Sequence, residues 1–251
     1  MAKIEIGRRF RGPPESGNGG YVCGVIARDI DGPATAVLGA RVPLETRLDL
    51  REEDGVVRLT DAEGALIGRG EPADGSALPV VPEAPSMRAA RAAGERYLGH
   101  DHRIHPICFT CGPDRDEGDG LRVFVGQVEG APAGQVAGVW IPHMDFADAE
   151  GLVPTEVIWA ALDCPGFFAW VAKAGRHGAL LGTMTGEIIR RPRAGEESIV
   201  MAWPLERDGR KETAGVALCA MDGEVLARAH QVWITMGPGF GKGAAPTAIA
   251  A

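Results

Sequence analysis

Residues 154–175, PTEVIWAALDCPGFFAWVAKAG, constrain the fold more than any other part of this 251-residue chain. Wound as a helix, they are apolar on nearly every face, whereas a surface helix would carry one polar face. Runs of strand-forming residues follow, separated by turn signals such as RDG at 207–209 and MDG at 221–223. An antiparallel sheet wrapped around one helix buries such a helix most economically. The pattern therefore predicts an α+β fold with a long central helix.

The beginning of the chain repeats this order of elements. NGGYVCGVIARDI (18–30) is helix-like, and two strand-like runs follow it at 34–50 and 56–72. EGALIGRGE (63–71) also resembles DGEVLARAH (222–230). A repeat of this length indicates a tandem duplication of a domain. We predict a first module at 1–75, a linker with a surface helix at 76–105, a second module at 106–236 and a disordered tail at 237–251.

Composition excludes several classes of protein. The formal net charge of −8 argues against nucleic-acid binding, which needs a basic face. The first residues lack the apolar segment of a leader peptide, and Asp163 and Pro165 interrupt the longest apolar run, so we expect no membrane association. Five cysteines without a disulfide-framework spacing suggest a reduced, cytoplasmic protein.

Four stretches of the second half resemble the hotdog-fold acyl-CoA thioesterases. They are CFTCGPDRDEGDGLRVF (108–124), GQVAGVWIP (134–142), PTEVIWAALDCPG (154–166) and EIIRRPRAG (187–195). Within that family the likeness is to the phenylacetyl-CoA and 4-hydroxybenzoyl-CoA type. Arg115 stands where an Asn is usual in the first stretch. In the family this stretch leads into a first strand. The first half resembles the family more faintly. Together the resemblance implies a double hotdog: two modules in one chain, each a helix wrapped by an antiparallel sheet.

Asp163 is the first catalytic candidate. It interrupts an apolar run, and burial raises the pKa of a carboxylate and makes it a better base where water can reach it. A structural alternative is that Asp163 N-caps a helix segment that restarts at Pro165. The resemblance favours catalysis, because the acidic residue of these thioesterases falls at this helix position.

The segment SGNGGYVCG (16–24) is the second candidate. Glycines at a helix start leave backbone N–H groups uncovered, which suits a thioester oxyanion. We therefore predict that Asn18 and Gly20 are catalytic and that Gly19 and Tyr21 bind substrate, although a plain turn N-capped by Asn18 fits as well. In the family this turn carries His, where Asn18 stands.

The repeat makes the two candidates complementary. Pairing Asn18 with Pro154 puts Ala27 opposite Asp163, and Pro154, Thr155 and Glu156 opposite Asn-Gly-Gly. The resemblance implies a site composed of the glycine turn of one module and the acid of the other. We therefore expect one composite site per chain, and a degenerate second one.

Other polar residues are weaker candidates for substrate binding. Gln231 lies on a late strand, where the resemblance implies that it holds the water. Thr183 and Thr185 alternate with a methionine and face one side of their strand. Arg190 and Arg191 form a basic cluster that would suit the phosphates of coenzyme A, although a solvated turn is the more ordinary explanation.

The expected reaction is hydrolysis of an acyl-CoA, with Asp163 as a general base on water or as the nucleophile that forms an anhydride. Coenzyme A enters only as part of the substrate, and no other cofactor is expected. Two alternatives stay open: an enoyl-CoA hydratase or dehydratase on the same fold, and a non-catalytic acyl-CoA-binding protein. Hotdog modules associate through sheet edges, so we also expect a homodimer.

Cys108 and Cys111 resemble half of a zinc site. Structural zinc usually takes four ligands in two close pairs, and no second Cys-x-x-Cys occurs in the sequence. A ligand set of His102, His105 and these cysteines is an open alternative. We predict instead that the cysteines pack where the second module begins, without a metal.

Overall fold

The computed structural model describes residues 2–237 except 104 and 176. The first half contributes five strands, β1 (Ala2–Glu5), β2 (Ala34–Leu38), β3 (Arg47–Glu53), β4 (Val56–Thr60) and β5 (Leu66–Pro72). The second half contributes six, β6 (Gly126–Gln127), β7 (Val136–Trp140), β8 (Ala179–Ile188), β9 (Ser198–Asp208), β10 (Lys211–Ala220) and β11 (Val225–Thr235). The helices are α1 (Gly19–Ala27), α2 (Met87–Gly94) and α3 (Thr155–Ala174).

The described strands form one continuous antiparallel sheet in the order β1-β3-β4-β5-β2-β8-β11-β10-β9-β7-β6. Read outward from the centre, the first half runs β2-β5-β4-β3-β1 and the second runs β8-β11-β10-β9-β7-β6. In each half the strand that follows the helix, β2 after α1 and β8 after α3, lies at the centre of the sheet. The next three strands outward come in reverse order along the chain: β5, β4 and β3 in the first half, and β11, β10 and β9 in the second. The strand order of the first half is thus repeated in the second, as the sequence repeat predicts.

The two halves join at the β2–β8 seam, where Ala34 to Val37 pair with Gly186 to Thr183. One side-chain hydrogen bond crosses the seam, between Thr35 Oγ1 and Thr185 Oγ1 at 2.8 Å. The seam lets one hydrophobic core run through both halves, including Val22 and Ile26 from α1 and Ile158 and Leu162 from α3.

Helices α1 and α3 pack directly on each other, and glycines of α1 allow the close approach. A Cβ atom on Gly24 would lie 2.5 Å from Glu156 Cα, and one on Gly20 would lie 2.6 Å from the backbone oxygen of Trp159. The predicted helix over 154–175 is confirmed almost to the residue. Its 20 residues meet the length and hydropathy criteria of a membrane span, but 83% of its most apolar window is buried inside the protein, as in the core helix of a globular fold.

Helix α2 lies within the segment predicted to be a linker. Ser86 N-caps it, with its hydroxyl accepting from the Ala89 N–H at 3.3 Å. Its buried Ala90 and Ala93 pack in a smaller cluster with Met201 and Ala217 of the sheet. The predicted module boundaries stay predictions, and the predicted tail lies outside the described residues from 238 onward.

Residues 120–124, which precede the first strand of the second half, do not join the sheet. The Leu121 and Val123 N–H groups donate instead to the carbonyls of Phe109 and Thr110, at 2.8 and 2.9 Å. Arg122, between them, adopts a positive φ of 54°. The backbone there pairs with the cysteine loop, and the sheet resumes only at β6.

Candidate active site

The start of α1 meets the middle of α3. Asn18 is the N-cap of α1, and its Oδ1 accepts from the Tyr21 N–H at 2.9 Å. This leaves the Asn18 amide nitrogen free to donate across the helix pair. Gly20 follows in the first turn, where a Cβ atom would lie 2.6 Å from Asp163 Cβ, so only glycine lets the Asp163 side chain sit this close to the turn.

Asp163 receives both of these donors on one oxygen. Asn18 Nδ2 donates to Asp163 Oδ2 at 2.7 Å, and the Gly20 N–H donates to the same oxygen at 3.0 Å. Asp163 is only 2% exposed. Its Oδ1 is buried and accepts no hydrogen bond from any described residue. The carboxylate thus has one oxygen held by two donors and one without a hydrogen-bond partner among the described residues.

Burial is the main influence on the ionisation of Asp163. Desolvation raises the pKa of this carboxyl group to about 7, and the nearby Cys108 adds to the rise. The hydrogen bonds from the Gly20 N–H and the Asn18 amide oppose it, because they stabilise the charged form.

Helix α3 does not restart at Pro165, so the alternative role of Asp163 as an N-cap is wrong. The helix runs unbroken past this proline. Gln231 of β11 donates from Nε2 to the carbonyls of Leu162 and Asp163, at 2.7 and 3.0 Å, and its Oε1 accepts from Trp233 Nε1. Gln231 therefore supports the helix backbone behind Asp163, because its amide bonds to main-chain carbonyls and to Trp233.

A cavity of about 500 Å³ opens in front of Asp163. Asn18 and Gly19 line it from the helix start, and Arg41 lines it from the exposed loop after β2. A smaller cavity of about 60 Å³ shares part of this wall. The shared residues are His105, Cys108, Cys164, Ala179 and Trp233. Aromatic side chains add to the smaller cavity, namely Tyr97, Phe167 and Phe168.

Sequence reasoning missed one feature of this wall. Cys164, the neighbour of Asp163, lies with its Sγ 3.7 Å from Cys108 Sγ, and Cys108 Sγ is also 3.7 Å from Asn18 Nδ2. The cysteine loop was predicted to mark only a domain boundary. It is buried as predicted, but it also packs against the candidate site. Cys164 is 56 residues from Cys108, so no spacing motif points to the pair.

The remaining predicted substrate-binding residues do not line either cavity. Tyr21 stacks on Phe10, with ring centroids 4.1 Å apart. The Thr185 hydroxyl is hydrogen-bonded to Thr35 across the seam. Thr183 lies two residues away on β8 and pairs with Val37 of β2.

The arginine cluster is also elsewhere. Arg190 pairs with Glu196 at 2.8 Å and with Glu224 at 3.4 Å. Arg191 pairs with Asp148 and donates to the carbonyl of Val153. Their positive charges are matched locally, so a phosphate contact is not supported by their positions. Arg41, which sequence reasoning passed over, is the arginine in the wall of the large cavity.

The reciprocal position carries none of this machinery. Pro154 is the N-cap of α3, as the pairing with Asn18 predicts, but it makes no side-chain capping bond. Glu156 occupies the first turn, and Ala27, at the end of α1, is buried and apolar. The structure thus brings together Asn18, Gly20 and Asp163, and the described residues at the start of α3 form no equivalent of them.

Comparison with known proteins identifies the architecture. No protein-family model and no curated protein matches the chain. Solved structures do: a protein from Alicyclobacillus acidocaldarius described as having the hot dog fold superposes with a TM-score of 0.59 at 10% identity, covering 94% of this chain and 93% of that one. The chain has the hotdog fold. Because the match spans both halves, the double hotdog predicted from the sequence is confirmed.

Two further neighbours superpose as well on this double hotdog. A protein from Novosphingobium aromaticivorans, assigned as a thioesterase, has a TM-score of 0.60 at 14% identity, covering 94% of this chain and 95% of its own. A tesB protein of Mycobacterium avium subsp. paratuberculosis has a TM-score of 0.58 at 13% identity, covering 90% of each chain. At such identities the likeness establishes the fold, and the chemistry has to be argued from the site.

Proposed function

We propose that this double hotdog hydrolyses a thioester of the acyl-CoA class at one site per chain, between α1 and α3. One observation carries the proposal: a buried carboxylate, Asp163, has one oxygen fixed by two donors and the other without a partner among the described residues, in the wall of a cavity of substrate size. Thioesterase assignments among the neighbours of the same fold are consistent with this chemistry.

In this proposal the thioester carbonyl binds to the backbone N–H of Gly19 rather than to that of Gly20. The sequence-based expectation was that the Gly20 N–H binds the oxyanion, but this group already donates to Asp163 Oδ2. Gly19 is the first residue of α1 and lines the cavity, and having no side chain it does so with its backbone. The positive end of the helix dipole favours negative charge there, which suits an oxyanion.

Asp163 acts as the general base on water in this proposal. The free Oδ1 takes a proton from water while the water oxygen bonds to the acyl carbon. The carbon–sulfur bond then breaks, and the proton passes to the departing thiolate, giving a carboxylic acid and a thiol. Asn18 and Gly20 hold the carboxylate in the orientation this step requires.

The larger cavity holds the substrate in this proposal. The acyl group lies beside Asp163, where Leu181 and Trp233 make the wall apolar. The smaller cavity, about 60 Å³, has room for only one or two water molecules. Arg41 lies in the wall of the larger one and is exposed, so it is placed to meet the phosphates of coenzyme A.

The test is Asp163→Asn. The amide oxygen accepts the bonds from Asn18 and Gly20, so the fold is kept while the basic oxygen becomes an NH₂ group. We expect kcat/KM to fall by about 10²–10⁴-fold on a panel of acyl-CoA thioesters, followed by release of the free thiol.

Glu156→Gln is the matched control, because it removes a carboxylate from the reciprocal helix start. It should leave the rate unchanged. Full activity in Asp163→Asn would show that this is not the catalytic carboxylate. If the wild-type protein hydrates an enoyl-CoA and releases no thiol, the protein is a hydratase and the proposed hydrolysis is wrong.

A further inference from the structure

Three buried thiols converge beside the candidate active site. The Sγ atoms of Cys108, Cys111 and Cys164 all lie within 4.8 Å of one another, and none of the three is in a disulfide. Cys108 and Cys111 come from the loop that opens the second half, and Cys164 comes from the middle of α3. The other two cysteines, Cys23 and Cys219, are also buried but lie outside this cluster.

The spacing of the sulfur atoms matches that of ligands around one ion. With Zn–S bonds of about 2.3 Å, two sulfur ligands of a tetrahedral zinc ion lie about 3.8 Å apart. The Cys108 and Cys164 sulfurs are 3.7 Å apart. A disulfide would need the two sulfurs at about 2.05 Å, and it would leave the third cysteine unpaired.

The loop folds tightly around Cys108. Asn18 Nδ2 approaches the Cys108 sulfur at 3.7 Å. The tight turn depends on Gly112, whose N–H donates to the Cys108 carbonyl at 2.9 Å. A Cβ atom on Gly112 would lie 2.6 Å from the Cys108 backbone, so the turn requires glycine.

We propose that Cys108, Cys111 and Cys164 bind one Zn²⁺ ion as thiolates. Binding replaces three thiol protons, which leave to solvent. The fourth position is completed from the cavity side, where His105 shares the wall with Cys108 and Cys164. The ion ties the cysteine loop to α3 next to the residues that orient Asp163. This goes beyond the proposed hydrolysis and reverses the sequence-based expectation of no metal.

The test starts with the metal content of the wild-type chain. The protein is purified under reducing conditions, without a histidine tag or chelator, and analysed by elemental mass spectrometry. We expect about one zinc per chain. Metal-free protein titrated with Co²⁺ should develop the near-ultraviolet thiolate-to-cobalt band and the visible bands of a tetrahedral site, both lost on adding Zn²⁺.

Cys164→Ser and Cys219→Ser form the matched pair of variants. Each removes one buried cysteine, but only Cys164→Ser should lose the zinc and the cobalt bands. Equal zinc content in both variants, or reduced wild-type protein that binds neither ion, would overturn the proposal. Asp163→Asn keeps all three thiols and should retain zinc while losing activity, so failure of the metal site and failure of the proposed hydrolysis give different results.

Discussion

The two helix starts of this chain occupy equivalent places in the two modules and differ in every chemical respect. The first begins Asn18-Gly19-Gly20, whose amide and N–H groups face the carboxylate of Asp163. The second begins at Pro154 and continues with Thr155 and Glu156, without a side-chain cap. The glycine turn can donate hydrogen bonds to an anion. At the start of α3 the carboxylate of Glu156 already lies at the positive end of the helix dipole.

The difference teaches that the fold alone does not make the site. Both positions have a helix start, a facing helix and a central strand. Only the first position combines two glycines at the helix start with a carboxylate, Asp163, on the facing helix. In a symmetric homodimer each substitution appears at both positions, so such a division of roles requires the two modules to differ in sequence.

Gly20→Ala breaks the glycine turn most directly. The added Cβ would lie 2.6 Å from both Asp163 Cβ and the Trp159 carbonyl oxygen, so the helices must separate. We expect the free energy of unfolding to fall by about 1–3 kcal/mol and thioesterase activity to be largely lost. Chemical denaturation and a thiol-release assay measure the two effects. Thr155→Ala, at the other helix start, is the control and should change neither.

Asn18→Ala leaves the helices in place and removes one donor to Asp163. A hydrogen bond to a charged group contributes about 1.5–3 kcal/mol, so we expect kcat to fall by roughly tenfold to a hundredfold. Loss of the N-cap should lower the free energy of unfolding by about 1 kcal/mol. Pro154→Ala is the control at the equivalent position. If kcat were unchanged in Asn18→Ala, the amide would serve only as a cap.

Arg41→Ala tests whether the cavity has a phosphate end. We expect KM for an acyl-CoA to rise by about threefold to tenfold with kcat unchanged, because one exposed charge contact is lost. A thioester of N-acetylcysteamine, which has no phosphate, should show no change. Arg190→Ala is the control and should leave KM unchanged. If KM rose in Arg190→Ala and not in Arg41→Ala, the sequence-based prediction that Arg190 contacts the phosphates would be correct.

Thr35→Val addresses the seam and has the smallest expected effect. It keeps the shape of the side chain and removes the hydrogen bond to Thr185, so the free energy of unfolding should fall by about 0.5–1.5 kcal/mol. Thr35→Ser retains the hydroxyl and should remain near the wild-type value. Equal stability of the two variants in denaturant titrations would mean that this bond contributes nothing to the seam.

Periodic and local features were predictable from the sequence. The apolar run of α3 and the Ser86 cap of α2 each lie within one short segment, and the pairing of Asn18 with Pro154 follows from aligning two helix starts. The contact of the glycine turn with Asp163 was also inferred, but only by combining the internal repeat with the family resemblance.

Features that depend on side-chain direction were not predictable. Gly20 and Asp163 were correctly brought together, yet the direct bond between them, which removes Gly20 from oxyanion binding, depends on an interhelical distance. Cys164 joins Cys108 through the tertiary fold alone. The sequence does not show that Arg190 is paired, because its partners, Glu196 and Glu224, lie on separate turns.

The central seam also bears on how the protein is made. Strand β2 pairs on one side with β5, but its other partner, β8, lies about 150 residues further along the chain. A ribosome synthesising at about 5–20 residues per second therefore exposes an open strand edge for several seconds or longer before that partner emerges. Helix α1 must likewise wait for α3. The first module is thus the part of the nascent chain that most needs protection from pairing with a neighbouring copy.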